Sequence, residues 1–468
     1  MKFTDIASLN LPAGHLTAWR VHGPSVTDER WVKDPRRASC LQEASIMGAL
    51  DERDNGLSTA AWLGCAFDMS DDLNASAFIT AIRQWIDRHE TLRSHLLPAD
   101  PSRADRRLAR MTLKPGSIEV RPGEVGEFTD ARSLAHQLEA LFDREVGPLH
   151  WPGYLFTTIR HSKATTVCLA VDHTLIDGYS LFQIPGEIQT LYAAALSASE
   201  ESLTQPVLPA VASYLDFAEA ERTASEEMTA GHEGIQRWKT FVTEGDGRLP
   251  PFPLPLGAVG DGVTEQPSGH ARVFDKEEAN TFAQICRSAG GDIFSGLLAC
   301  LAKSSSERSG QNTFRTMIPF QTQTAQRQPS VGWYVGMGPV AFPIDVNRSF
   351  TQTLRAAADG LVGVKALAQI PMTRVAELLD QPLRDPFMIS YMELRRIAGA
   401  REWTTWQVKS FRSRSVDPDE VCLWYVRTHE GLFINYRHPA TQQAAETIAD
   451  YLARTQALLA SVIAAADW

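Results

Sequence analysis

The run Val167-Cys168-Leu169-Ala170-Val171 is apolar without interruption and stops at Asp172-His173-Thr174-Leu175-Ile176-Asp177-Gly178-Tyr179-Ser180. A short apolar run that ends in polar residues and a glycine reads as a buried strand followed by a turn. His173 therefore stands where a strand stops, and Asp177 and Gly178 follow it in the order His-x-x-x-Asp-Gly. Imidazole titrates near neutral pH and takes a proton from an attacking hydroxyl or amine. The aspartate four residues on can fold back toward the ring or pair with an arginine that holds the turn. Glycine tolerates backbone angles other residues avoid and lets a substrate pass close to the main chain. An ordinary polar turn uses the same residue types, so the surroundings must decide between the two.

Around this turn the apolar spacing alternates between helix and strand. In the first half it predicts helices over 39–50, 73–89, 133–145 and 180–196. Strands are expected at 57–67, 155–159 and 167–171, the last two joined by Arg160-His161-Ser162-Lys163. Residues 204–210 carry Pro206 and Pro209 and read as a connection. The proline-rich stretch 249–257 and the glycine-rich residues to 269 read as a longer linker or lid. In the second half, helices are expected at 276–289 and 293–304, either side of Gly290-Gly291. An alanine-rich helix over 350–370 and a closing helix over 440–466 follow. Strands are expected at 313–319, 340–346, 387–391, 421–426 and 431–436.

At 468 residues the chain exceeds one ordinary core, so two to three domains are expected. Hydrophobic residues at 44% suffice to fill such cores. No apolar run approaches the roughly 20 residues that cross a bilayer, and the start lacks the layout of a signal peptide. Six scattered cysteines form no C-x-x-C pair, which argues against a zinc site or a disulfide framework. They read as reduced and buried, as in the cytoplasm. A net charge of -11 argues against nucleic acid as a partner.

Four further stretches bear on the turn. Arg88-His89-Glu90-Thr91-Leu92-Arg93 lies upstream; Ser213-Tyr214-Leu215-Asp216-Phe217-Ala218, Val331-Gly332-Trp333-Tyr334-Val335-Gly336 and Arg384-Asp385-Pro386-Phe387 lie downstream. In this order and at these separations they resemble the core motifs of nonribosomal peptide condensation domains and their acyltransferase relatives. The mycobacterial polyketide-associated acyltransferases resemble the chain most. Gly14-His15-Leu16-Thr17-Ala18-Trp19 is similar to their opening segment, and Trp238 with Pro251-Phe252-Pro253-Leu254-Pro255-Leu256-Gly257 to their mid-chain linker. The resemblance spans nearly the whole chain. It implies an α/β (α+β) fold of two lobes, each like chloramphenicol acetyltransferase, forming a V-shaped pseudo-dimer with a central channel. The lobes are expected at 1–205, carrying the motif, and 206–468.

The same resemblance implies the chemistry. His173 would be the base that activates the acceptor, Asp177 a structural anchor and Gly178 part of the channel wall. Trp333 and Tyr334 would line a substrate pocket, although aromatics after a strand are core as often. The donor would be a thioester on coenzyme A or on the phosphopantetheine of an acyl or peptidyl carrier protein. The acceptor would be a small molecule, and neither a permanently bound cofactor, a metal nor an acyl-enzyme is required. The tetrahedral oxyanion needs a nearby donor group. Asp172 stands where the family has a first histidine and is read as structural. An arginine is expected to pair with Asp177; glutamines fill its usual region, leaving Arg327, Arg315 and Arg93 as alternatives. His89, Arg93, Tyr214, Asp216 and Phe217 read as structure. Arg103, Arg106, Arg107 and Arg110, and Arg395, Arg396 and Arg401, read as solvated faces or as a seat for a carrier protein or coenzyme A phosphates. Three functions follow: an acyltransferase that esterifies a hydroxyl of a sugar, lipid or polyketide product, a stand-alone condensation enzyme joining two carrier-bound or free building blocks through an amide or ester, or a silent docking domain that recruits a carrier protein. The intact motif argues against the last. A cytoplasmic monomer is expected.

Overall fold

A computed structural model describes residues 3–25, 27–56, 60–69, 72–99, 108–197, 208–260, 264–323 and 330–468. The chain forms two compact units with mixed α/β architecture. The first comprises 1–227, 323–334 and 396–413, and the second 228–322, 335–395 and 414–468. A single boundary at 205/206 therefore does not describe the units. Two later segments return to the first unit, and no local composition announces such a return.

The motif strand Thr165–Asp172 lies inside a seven-stranded sheet, between Trp62–Met69 and Tyr154–Arg160. Side chains alternate across a strand. Val167, Leu169 and Val171 join one core with Phe78, Ile82 and Trp85 of the helix Ala75–Arg88 and with Ile184 and Ile188 of the helix Gly178–Ser197. Cys168 and Ala170 join the opposite core with Leu134, Leu138 and Phe142 of the helix Ala131–Glu145. Burial on both faces explains why the run is continuously apolar rather than alternating. The returning strand Lys409–Arg412 pairs antiparallel with Trp62–Met69. Its Phe411 stacks on Phe142 at 6.1 Å, and a Cβ on Gly64 would overlap the Phe411 ring. The first unit also holds a small sheet of Val32–Asp34, Leu108–Thr112 and Ser94–Pro98.

The second unit carries a six-stranded sheet in the order Ser268–Asp275, Gly431–Arg437, Val421–Thr428, Phe387–Glu393, Thr313–Gln321 and Val335–Pro343. Helices Lys276–Ala289 and Ile293–Ser309 pack on it, separated by Gly290 in the left-handed region at φ 97°. No single helix among the described residues is long and apolar enough to cross a membrane. All six cysteines are buried, and none is joined to another in a disulfide.

Several sequence expectations change. The span 350–370 is not one helix: Phe350–Leu361 stops before Gly363 at φ 74°, and Val364–Leu367 follows. Alanine periodicity runs through this break because both pieces bury an apolar face. The stretch 249–257 is not a free lid. Phe252 and Leu254 are buried, and Phe252 meets Phe387 at 5.2 Å and Tyr451 at 5.1 Å. The strand expected at 340–346 begins earlier, at Val335, and ends at Pro343. Helices Tyr214–Glu227 and Glu233–Thr243, and strands Gly14–His22 and Glu119–Phe128, were not anticipated. Most of 204–210 lies outside the described residues, as do Arg103, Arg106, Arg107 and Arg327.

Candidate active site

The turn after the motif strand is held by its own main chain. His173 N–H donates to the Ala61 carbonyl at 2.9 Å, and Leu175 N–H to that of Asp172 at 3.0 Å. Asp172 Oδ1 accepts the Thr174 N–H at 2.9 Å as well as its hydroxyl, while Oδ2 is buried without a partner. Burial pushes the Asp172 carboxyl up to about 6, against the pull of Thr174. Asp172 is thus a bracket of the turn.

The helix Gly178–Ser197 starts at the motif glycine. Asp177 precedes it, and Asp177 Oδ1 accepts the Ser180 N–H at 2.8 Å, as a helix cap does. Its Oδ2 accepts the amide of Tyr334 at 2.9 Å. Ser180 completes the attachment: its hydroxyl donates to the Gly332 carbonyl at 3.0 Å and accepts the Gly332 N–H at 3.2 Å. Residues 330–334 are therefore sewn to the motif helix by main-chain groups on both sides of Trp333. That places the Trp333 ring against His173, with centroids 4.4 Å apart and planes tilted by 39°.

His173 is half-buried, and its Nδ1 is buried without a hydrogen-bond partner. Burial lowers its pKa below the ordinary imidazole value, although backbone groups of His173 and Ile176 act the other way. The ring is consequently neutral at neutral pH, the state a proton acceptor needs.

Tyr334 is fully enclosed. Its hydroxyl donates to Ser330 Oγ at 2.9 Å, and its ring packs on Tyr214 at 5.0 Å and Phe217 at 4.8 Å. It shapes the segment and presents no surface to a ligand, unlike the pocket-lining role expected for it. A Cβ on Gly332 would overlap the Tyr214 ring, so the Val-Gly-Trp-Tyr and Ser-Tyr-x-Asp-Phe stretches are one packing unit. His89 ties the same segment from below. Its Nδ1 accepts the Val331 N–H at 3.3 Å, so its proton sits on Nε2, 2.7 Å from Glu187 Oε2. Glu187 also accepts from Trp85 Nε1 at 2.9 Å and Arg88 Nε at 3.0 Å.

Sequence reasoning singled out His89 and Tyr214 as structure but did not identify Ser180 or Glu187. A hydroxyl or carboxylate inside an amphipathic helix carries no local mark of such partners. Of the arginines considered for Asp177, Arg93 donates to the carbonyls of Leu113 and Asp87. Arg315 donates to the Phe241 carbonyl, stacks on its ring at 4.1 Å and pairs with Glu244 at 3.6 Å. Arg327 lies outside the described residues. Arg396 and Arg401 are exposed, and Arg395 pairs with Glu393 at 2.7 Å. Arg110, by contrast, is buried at 3% exposure and is no part of a solvated face.

Comparison with known proteins bears on this geometry. A family model described as "Condensation domain" matches residues 55–463. Acyltransferase PapA3 of Mycobacterium tuberculosis is 25% identical over 91% of this chain and 88% of its own. Trehalose-2-sulfate acyltransferase PapA2 of Mycobacterium bovis is 25% identical over 86% of this chain and 84% of its own. Among solved structures, a PapA2 acyl transferase superposes with a TM-score of 0.87 at 22% identity, covering 99% of this chain and 100% of that one. The first condensation domain of the calcium-dependent antibiotic synthetase superposes with a TM-score of 0.67 at 14% identity, over 93% of this chain and 98% of that one.

Proposed function

The chain belongs to the condensation-domain family, and on that premise we propose that it moves an acyl group from a phosphopantetheine thioester to a hydroxyl of a sugar or lipid, with His173 as general base. The donor is acyl-coenzyme A or an acylated carrier protein, bound only as a co-substrate. His173 accepts the hydroxyl proton while the oxygen attacks the thioester carbonyl. The tetrahedral adduct collapses to an ester, the C–S bond breaks, and the departing sulfur receives the proton from His173. The observation that carries this reading is His173 itself: a neutral, half-buried imidazole at the end of a rigid strand, with the Trp333 ring packed on it. Asp177 anchors the turn through the Ser180 and Tyr334 amides, so it positions the base and takes no proton. Holding both reactants in attack geometry supplies much of the rate enhancement in such transfers.

A sugar hydroxyl is favoured over an amine by the relatives. One matched over most of both chains is named for acylating trehalose-2-sulfate, and we extend that acceptor class to this chain. Amide formation between two carrier-bound building blocks is the second reading, since family membership also covers condensation domains. Incubation with a panel of acyl-coenzyme A and acyl-carrier donors, against sugar, lipid and amine acceptors, with products read by mass spectrometry, tests both. Ester products that vanish with His173→Ala support the first reading. Amide products alone refute it.

A further inference from the structure

Behind the motif turn the first unit contains a cavity of mixed character, whose polar lining is Gln42, Ser94, His95, Arg110, His150 and Thr174. Its volume is about 340 Å³ including the open mouth. Its depth is narrow and admits one small polar group. Thr174 and Leu175, both in its wall, directly follow His173.

Two side chains in this wall keep unused hydrogen-bonding capacity. Arg110 donates only to neutral acceptors: the carbonyls of Arg36 and Arg37, each at 3.0 Å, Ser94 Oγ at 2.7 Å and Gln42 Oε1 at 3.2 Å. One Nη1–H remains. No carboxylate lines the cavity among the described residues, and burial draws the guanidinium down to about 10. Asp34 and Glu90, which are not part of the cavity wall, act the other way on the guanidinium. His95 is 7% exposed, and both its ring nitrogens are buried without a partner. Burial and then the neighbouring His150 hold its pKa down to about 4. Water would satisfy the imidazole, whereas one anionic oxygen would accept from the remaining Arg110 N–H as well, in a wall that holds no carboxylate to repel it.

We propose that this cavity is an oxyanion subsite of the transfer reaction, in which Arg110 and His95 receive a sulfate or phosphate group carried by one of the substrates. The site stands on the cavity alone; its use in transfer rests on the function proposed above. The two sources are a sulfate ester on a sugar acceptor and a phosphate of coenzyme A.

Titration of the whole protein with inorganic sulfate, followed calorimetrically against chloride at equal ionic strength, needs no turnover and so fails independently of the acyl-transfer reading. Saturable sulfate binding is expected, weakened about tenfold or more by His95→Leu. NMR of the wild type should show the His95 imidazole titrating at higher pH once sulfate is bound between it, Arg110 and His150. That readout survives even if the variant folds poorly. Equal heats for chloride, or an unmoved His95 titration, overturn the site. Displacement of sulfate by trehalose 2-sulfate but not trehalose assigns the group to the acceptor. Displacement by coenzyme A but not dephospho-coenzyme A assigns it to the donor. Displacement by none of these overturns a role in transfer.

Discussion

The amide of Tyr334 donates to Oδ2 of Asp177 at 2.9 Å, across 157 residues of chain. With the Ser180–Gly332 pair beside it, this bond sets the height of Trp333 against His173. The motif aspartate is therefore connected to the imidazole through a tryptophan.

Asp177→Asn should damage stability and turnover together. The amide keeps one oxygen, so either the Ser180 or the Tyr334 N–H must face an NH₂ group. Losing a buried charged acceptor costs about 1.5–3 kcal/mol. A lowered melting temperature with a matching fall in kcat is expected. An unchanged melting temperature with a displaced pH–rate profile would instead make Asp177 a participant in proton transfer.

His173→Ala should leave the melting temperature near that of the wild type and reduce kcat by about two to four orders of magnitude. Circular dichroism and single-turnover product formation measure the two. Comparable turnover by a folded variant would remove His173 from the mechanism.

The pH profile follows from the burial of His173. A base must be neutral, so activity falls as pH drops through the pKa of the folded enzyme. Burial lowers that pKa, so the acid limb should lie below the ordinary imidazole value of about 6.5. Trp333→Ala opens the ring to solvent and should move the limb upward. A limb that ignores Trp333 would show that another group titrates.

Asp172 supplies an opposite dependence, read in stability. Its folded pKa of about 6 lies above the ordinary aspartate value of 3.8, because burial favours the neutral form. Its stabilising contribution is complete below the lower value and is lost as pH rises through the upper one. The loss amounts to about 3 kcal/mol. Asp172→Asn keeps the acceptor for Thr174 and cannot ionise. Denaturant unfolding between pH 4 and 7.5 should show a decline for the wild type that the variant lacks; parallel curves would refute the buried neutral carboxyl.

Gly332→Ala pushes a methyl group into the Tyr214 ring and should cost about 1–3 kcal/mol by overpacking. Tyr214→Ala in the same chain should relieve part of that cost, a non-additivity that a double-mutant cycle measures. Strict additivity would mean that the two stretches do not share one packing unit.

The strand, the turn and the helix that follow one another around His173 were legible along the chain. The continuous apolar run at 167–171 and the glycine at 178 are local signals, and local signals determine local backbone. The family motifs likewise named His173 and the fold, since they are short and ordered. What locks the turn was not legible: Ser180 bonded to Gly332, Tyr334 bonded to Asp177, and His89 bonded to Val331 depend on contacts more than 150 residues apart. The return of 323–334 and 396–413 to the first unit is of the same kind. Arg110 makes the contrast sharpest. In sequence it belongs to a run of arginines that reads as solvated, yet pairing of Leu108–Thr112 with Ser94–Pro98 carries it inward beside Gln42. The sequence by itself determined which residues could do chemistry and which segments become strands and helices. Only the tertiary structure decided their solvation, their partners and their charge, because each depends on neighbours that chain order does not contain.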